Sequence, residues 1–362
     1  MHAAIAIAAG GGGDAVTAAM LASARPDLGI RAVMSYSWDR FIVDPSPGPR
    51  RRSDFYGLEE RGGVAVIPET AGLHVGQSTL PRLAGSIAHP LALLEADAGA
   101  AGMAELLQCA AAAFEADELI VVDAGGDILA EGHEESLRSP LADSLALAAA
   151  VSSGIRTRVL VAGPGLDGEL SPAEVEARLK NLDAELVAEV TERDAAPFSE
   201  VWSWHPSEVN ALLAAAATGW RGAVECQRDA VVRLTHAASG VYEVDAQTLV
   251  DTSLAAPLIG TATLDEAEQL LRDRRGGRSE LDVERRRAAG ERAQAQMPTI
   301  ETVDFIDDYV AKARGRGIDA LTIRRVVELV AAVDPGATDA LRQMLRRLRP
   351  GNFRPPLYTV AD

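Results

Sequence analysis

An apolar strand that runs directly into glycines and then an acid constrains a fold strongly. It places bare backbone N–H groups at the carboxyl edge of a sheet, where a helix starts. This chain does so three times. Ile5-Ala6-Ile7-Ala8-Ala9 enters Gly10-Gly11-Gly12-Gly13-Asp14, ahead of the helix-like stretch Ala15-Val16-Thr17-Ala18-Ala19-Met20. Leu119-Ile120-Val121-Val122 enters Asp123-Ala124-Gly125-Gly126-Asp127. Val159-Leu160-Val161-Ala162 enters Gly163-Pro164-Gly165-Leu166-Asp167-Gly168-Glu169. Such junctions predict one site collected along one sheet edge.

Around them, β-type runs alternate with Ala/Leu-rich helical runs, the pattern of a parallel sheet covered on both faces. The expected class is α/β: a doubly wound, mostly parallel sheet with helices on both faces and a C-terminal helical extension. Strands are predicted near 3–9, 30–37, 63–67, 118–123 and 157–162, with weaker ones near 199–203, 223–226 and 240–244. Helices are predicted near 14–24, 99–116, 140–153, 172–190 and 206–218. The expected organisation is a Rossmann-like domain over 1–262, a charged linker or helix over 263–298, and a helical subdomain over 299–362. That last piece has helical patterns near 302–314, 319–333 and 336–348 and could pack on the sheet or on another copy, so a homo-oligomer is open. Residues 39–62, rich in Pro, Gly and Arg, read as a long loop that either clamps a ligand or merely connects.

With 35 basic against 53 acidic residues, the formal net charge is −18. A field of that sign repels phosphate backbones and anionic membranes, so the expected partner is a small molecule, neither nucleic acid nor membrane. Only Cys109 and Cys226 occur, in no metal-ligand spacing, and Cys109 reads as a small buried thiol on a helix. No disulfide framework, signal peptide or transmembrane run is apparent, which predicts a cytoplasmic protein.

Each junction carries candidate chemistry and a plainer alternative. The amides of Gly11, Gly12 and Gly13, with Asp14, suit the anionic or hydroxylated end of a substrate, yet Asp14 also suits a helix cap. The loop is no P-loop, lacking Gly-Lys-Ser/Thr, and no acid stands at the ~20-residue spacing of a dinucleotide fingerprint. Asp123 and Asp127, spaced across Gly125 and Gly126, can hold a divalent cation (Mg, Mn or Ca) or divide acid and base roles. Turn capping is their alternative. Ser139-Pro140 predicts a hydroxyl N-cap that sets Asp143 one turn into a helix. Gly165, Asp167 and Glu169 are candidates from the third junction. His205, after Trp204, is a candidate acid or base, and His74 a weaker one. No His-Glu-x-x-His motif, Cys/His cluster or Gly-x-Ser-x-Gly elbow is present.

The order of Gly10-Gly11-Gly12-Gly13-Asp14, Val122-Asp123-Ala124-Gly125-Gly126-Asp127, Ser139-Pro140-Leu141-Ala142-Asp143 and Gly163-Pro164-Gly165-Leu166-Asp167-Gly168-Glu169 resembles domain of unknown function 1152, a family of bacteria and archaea. The resemblance implies a soluble α/β protein and brings no activity or site residue with it. Asp123-Ala124-Gly125-Gly126-Asp127 is similar in kind to the aspartate clusters that hold calcium in nucleoside hydrolases. Those lie in an N-terminal Asp-x-Asp-x-Gly-x-Asp-Asp run that this chain lacks. Gly12-Gly13-Asp14 is similar to the Gly-Ala-Gly-Asp anion hole of ribokinase-type kinases, though early in the chain rather than late. The expected activity is hydrolysis or lyase cleavage of a small polar metabolite, with Asp123, Asp127 and His205 catalytic. A nucleotide-dependent phosphotransferase and a non-catalytic ligand-binding or regulatory module are the alternatives.

Overall fold

The computed structural model describes residues 2–290 and 294–360. Residues 291–293 of the expected 263–298 linker lie outside the described residues, as do Met1, Ala361 and Asp362. The chain is an α/β protein with a nine-stranded main sheet. Its strands are β1 (Ala4–Ala8), β2 (Ile30–Ser35), β3 (Glu59–Arg61), β4 (Val64–Val66), β5 (Leu91–Leu93), β6 (Glu118–Ala124), β7 (Arg156–Ala162), β8 (Glu185–Glu189) and β9 (Gly240–Asp245). They lie in the order β8-β9-β7-β6-β1-β2-β5-β4-β3. The five inner strands, β7 to β5, are parallel; both edges are extended by antiparallel strands.

Alternation along β1 explains how both faces are covered. Ala4, Ala6 and Ala8 join a core with Val16, Ala19 and Met20 of helix α1 (Gly12–Ala24), the small alanines letting the helix approach closely. Ile5 and Ile7 join the opposite core with Met103 and Leu107 of α2 (Gly99–Phe114) and Leu145 of α3 (Pro140–Ser152). Strand register then aligns the three junctions. Ala8 lies opposite Val122, and Asp123 opposite Val161. The amide of Ala9 donates to the Val122 carbonyl at 3.0 Å, and that of Gly125 to the Ala162 carbonyl at 3.0 Å. Each glycine run therefore leaves the sheet beside the next. β1 lies at the middle of the parallel strands, with β2 on one side and β6 on the other.

A second, five-stranded sheet contains Val231–Leu234, Gly222–Glu225, Ala320–Thr322, Leu357–Thr359 and Phe353–Arg354. Strands from both sides of residue 262 thus share it. Ile306, Val310, Ile323, Val326, Leu341 and Leu345 form its core.

Several local expectations change. The predicted 172–190 helix stops at Asn181; Asp183 turns with φ 47° and β8 follows. Residues 201–203 form a 3-10 turn rather than a strand. The 319–333 helix begins only at Ile323, because Ala320–Thr322 pairs with strands on both sides. Cys109 is exposed, not buried, on the outer face of α2, whereas Cys226 is buried. Among the described residues, no helix is long and apolar enough to cross a membrane.

Candidate functional site

At the carboxyl ends of β1, β6 and β7 lies a cavity of about 580 Å³. Of the residues singled out in the sequence, Gly12, Gly13, Asp14, Asp127, Asp143, Asp167, Glu169 and His205 line it. Asp123, Gly11, Gly125, Gly126 and Gly165 are not on its lining, and Asp123 is fully buried. His74 is elsewhere, against the Tyr56 ring at 5.6 Å.

The glycines serve mainly to let the protein's own side chains crowd the backbone. A Cβ on Gly10 would sit 2.9 Å from Asp14 and 3.0 Å from Asp143; on Gly12, 2.8 Å from Thr79; on Gly13, 2.9 Å from Ser207. Gly11, at φ 113°, turns the chain into α1, and no side chain caps that terminus. Gly125, at φ 119°, would place a Cβ 2.7 Å from Asp167. Asp14 stitches the first two junctions together, accepting the Gly10 amide on Oδ2 and the Ala124 amide on Oδ1 at 3.3 Å.

Behind Asp14 stand Asp123, from the end of β6, and Asp143, from the first turn of α3. Oxygens of these three buried carboxylates lie within 4.8 Å of one another. Neither oxygen of Asp123 meets a partner at ordinary hydrogen-bond geometry, although the Asp127 carboxyl and the Gly126 amide lie near enough to favour its anion, and Asp143 Oδ1 has no partner. Asp127, expected to share an ion with Asp123, is not one of this trio but lies beside Asp123 and opens a 3-10 turn on the cavity wall. A second grouping, Glu131, His133 and Glu134, is mostly exposed, and Glu134 is occupied by the amides of Glu131 and Gly132.

Ser139 does not cap α3 with its hydroxyl, as its position before Pro140 predicted. Instead its hydroxyl donates to Glu169 at 2.8 Å. Glu169 also accepts the amides of Arg138 and Ser139 at 2.6 and 2.9 Å and pairs with the Arg138 guanidinium, so the third junction carries the anion at the start of α3. Asp167 accepts the Glu169 amide at 2.7 Å and leaves its Oδ2 unpartnered.

This packing of acids raises their pKa values. Burial, opposed by two amide donors, lifts Asp14 to about 7. Burial and then the Glu169 charge lift Asp167 to about 7. Asp123, Asp127 and Asp143 are pushed well above the carboxylate range, first by burial and then by one another and the neighbouring acids. His205 behaves oppositely: burial and Arg342 pull it down to about 3. Its Nδ1 accepts the Ser207 amide at 3.2 Å, so the neutral ring carries its proton on Nε2, which has no partner.

Sequence reading missed much of the opposite wall. Glu280, lifted to about 7 by burial, accepts the Leu141 amide at 2.8 Å and lines the cavity. It comes from the charged segment expected to be solvated. Arg40, Arg228 and Arg324 complete the wall from three further segments. Alternating acids and arginines give no periodic signal that separates inward from outward residues, so composition alone hid them.

A family model described as Protein of unknown function (DUF1152) matches residues 5–288. The chain belongs to that family. The matched span includes all three junctions, the aspartate trio and Glu280, and ends before Arg324. No curated protein and no solved structure matches the chain.

Proposed function

We propose that this protein is an enzyme of small-molecule metabolism, a hydrolase or lyase that cleaves a small polar metabolite at a divalent-cation site. The observation that carries this reading is Asp123: a fully buried carboxylate whose oxygens meet no partner at ordinary hydrogen-bond geometry, facing two more carboxylates. An orphaned buried carboxylate is costly unless a proton or a cation compensates it. Three convergent oxygen donors fit a hard ion such as Mg²⁺, Mn²⁺ or Ca²⁺. When bound, such an ion supplies Lewis acidity and water of lowered pKa.

The chain's own groups have separate roles in this proposal. The open first turn of α1 receives the anionic or hydroxylated end of the substrate. Asp167, near neutrality in pKa, suits holding and releasing a proton at physiological pH, with Asp127 beside it. His205, neutral and protonated on Nε2, acts as a hydrogen-bond donor rather than a base. We read the sheet as doubly wound and Rossmann-like, with a topological switch point between β1 and β6; the inner strand order and the packed helices on both faces support this reading. The two unpaired cysteines fit a cytoplasmic location.

The test is turnover by EDTA-stripped protein across a panel of glycosides, esters and phosphoesters, with and without Mg²⁺, Mn²⁺, Ca²⁺ and ATP. Cation-dependent, ATP-independent turnover lost in Asp123→Asn is expected. An absolute ATP requirement would make the protein a phosphotransferase. Ligand binding with no turnover under any condition would make it a binding module.

A further inference from the structure

We propose that the cavity takes a phosphorylated metabolite, its phosphate seated on Arg40, Arg228 and Arg324 opposite the aspartate trio. This rests on reading the cavity as a substrate site. Arg40 lies in the loop after β2, Arg228 in the hairpin turn between Gly222–Glu225 and Val231–Leu234, and Arg324 at the start of helix Ile323–Leu329. Among the described residues, none of their guanidinium groups makes a hydrogen bond or ion pair. Other cavity arginines do: Arg138 pairs with Glu169, Arg287 with Glu284, and Arg275 donates to the Leu137 carbonyl.

In a chain with 53 acids against 35 bases, three arginines on one wall without an ion pair, Arg324 half-buried and Arg40 and Arg228 exposed, are not explained by a shortage of carboxylates, since Glu208 and Glu328 act on Arg324 without pairing with it. They are also close enough to repel. Burial is the main cause of the lowered pKa of Arg228 and Arg324, but Arg40 contributes to both, and Arg228 to Arg324, which falls to about 10. Arg40 also stabilises the anions of Asp14 and Glu280, so cradle and acidic floor bound one space.

The backbone under Arg228 supplies an independent sign. Arg228 and Asp229 are both left-handed, at φ 58° and 59°, a conformation that L residues adopt only under constraint. The constraint is explicit. Glu208 accepts the Gln227 amide at 2.9 Å, Glu328 accepts the Arg228 amide at 3.0 Å, and Asp229 pairs with Arg325. The turn is thereby clamped with Arg228 on the cavity wall. Several guanidiniums lining one cavity suit the several charged oxygens of a phosphate; a carboxylate needs only one.

Calorimetric titration of the full chain in EDTA at fixed ionic strength tests this. The probes are inorganic phosphate, pyrophosphate, ribose 5-phosphate and ADP, with ribose and citrate as controls. Phosphate compounds should bind and ribose should not, and Arg40→Gln or Arg324→Gln should each weaken binding roughly tenfold. Tighter pyrophosphate and ADP would identify a diphosphate, and tighter ribose 5-phosphate a sugar phosphate; both support the cradle. Because the titration is run in EDTA, it reads the arginines without the cation, so failure of the cation site registers separately. If Arg324→Gln does not fold by circular dichroism, Arg40→Gln, at an exposed loop residue, carries the comparison. The proposal is overturned if no phosphate compound binds at millimolar concentration, if citrate binds as well, or if arginine removal leaves affinity unchanged.

Discussion

Replacing Asp14 with asparagine should flatten the pH dependence of stability in the metal-free protein. The Asp14 carboxyl is 7% exposed, and burial lifts its pKa from 3.8 to about 7. The unfolded chain releases this proton near pH 4, whereas the folded chain keeps it to near pH 7. Between those limits the native state binds more protons, so stability falls as pH rises through the window. A shift of roughly 3 units corresponds to about 4 kcal/mol, distributed over a trio that titrates together. Urea denaturation of EDTA-treated wild type and Asp14→Asn, at several pH values from 4.5 to 7.5, measures it. Asparagine keeps one acceptor oxygen for the two amides that Asp14 serves, so the lost hydrogen bond offsets the curve without changing its slope. Wild type should lose on the order of 4 kcal/mol more than the variant across the window. Saturating Mn²⁺ should abolish that excess by holding the carboxylates ionised. Parallel curves for the two proteins would refute the reasoning.

Gly125→Ala forces a Cβ to 2.7 Å from Asp167 Oδ2 at φ 119°, and should cost roughly 2–3 kcal/mol in denaturant unfolding. Gly154→Ala, at φ 72° with open space around it, should cost only about 1 kcal/mol, from the backbone alone. Glu169→Gln weakens one acceptor of three hydrogen bonds and an ion pair at the start of α3, and should destabilise by about 2 kcal/mol on the same measurement. The imidazole resonances of His205 should not titrate between pH 5 and 8 in NMR, since its pKa lies near 3; a midpoint near 6 would contradict its assignment as a neutral donor.

Much of the site was legible because its backbone has local signatures. A β-branched run entering glycines marks a strand end, and parallel register does the rest: Ala8 beside Val122 and Asp123 beside Val161 bring all three junctions together. The grouping within the site was less legible. Sequence proximity pairs Asp123 with Asp127, whose side chain does act on Asp123, but the fold also sets Asp123 against Asp14 and Asp143, each from a different element. No spacing rule reports that. The glycines had a partly different purpose too, since crowding by Thr79, Ser207 and Asp143 is tertiary information. Glu280 sits in a charged stretch whose inward orientation comes from packing of the 264–288 helices, and Arg40, Arg228 and Arg324 reach the cavity from three separate segments, which composition cannot express. Short strands such as Leu91–Leu93 and Ala320–Thr322 escaped because three residues carry almost no period.

Anomalous scattering from crystals grown with Mn²⁺ would decide the central claim most directly. An ion seated among the carboxylates of Asp14, Asp123 and Asp143, and missing from Asp123→Asn crystals, is the expected result. Carboxyls bonded to one another through shared protons, with manganese bound elsewhere or not at all, would contradict it.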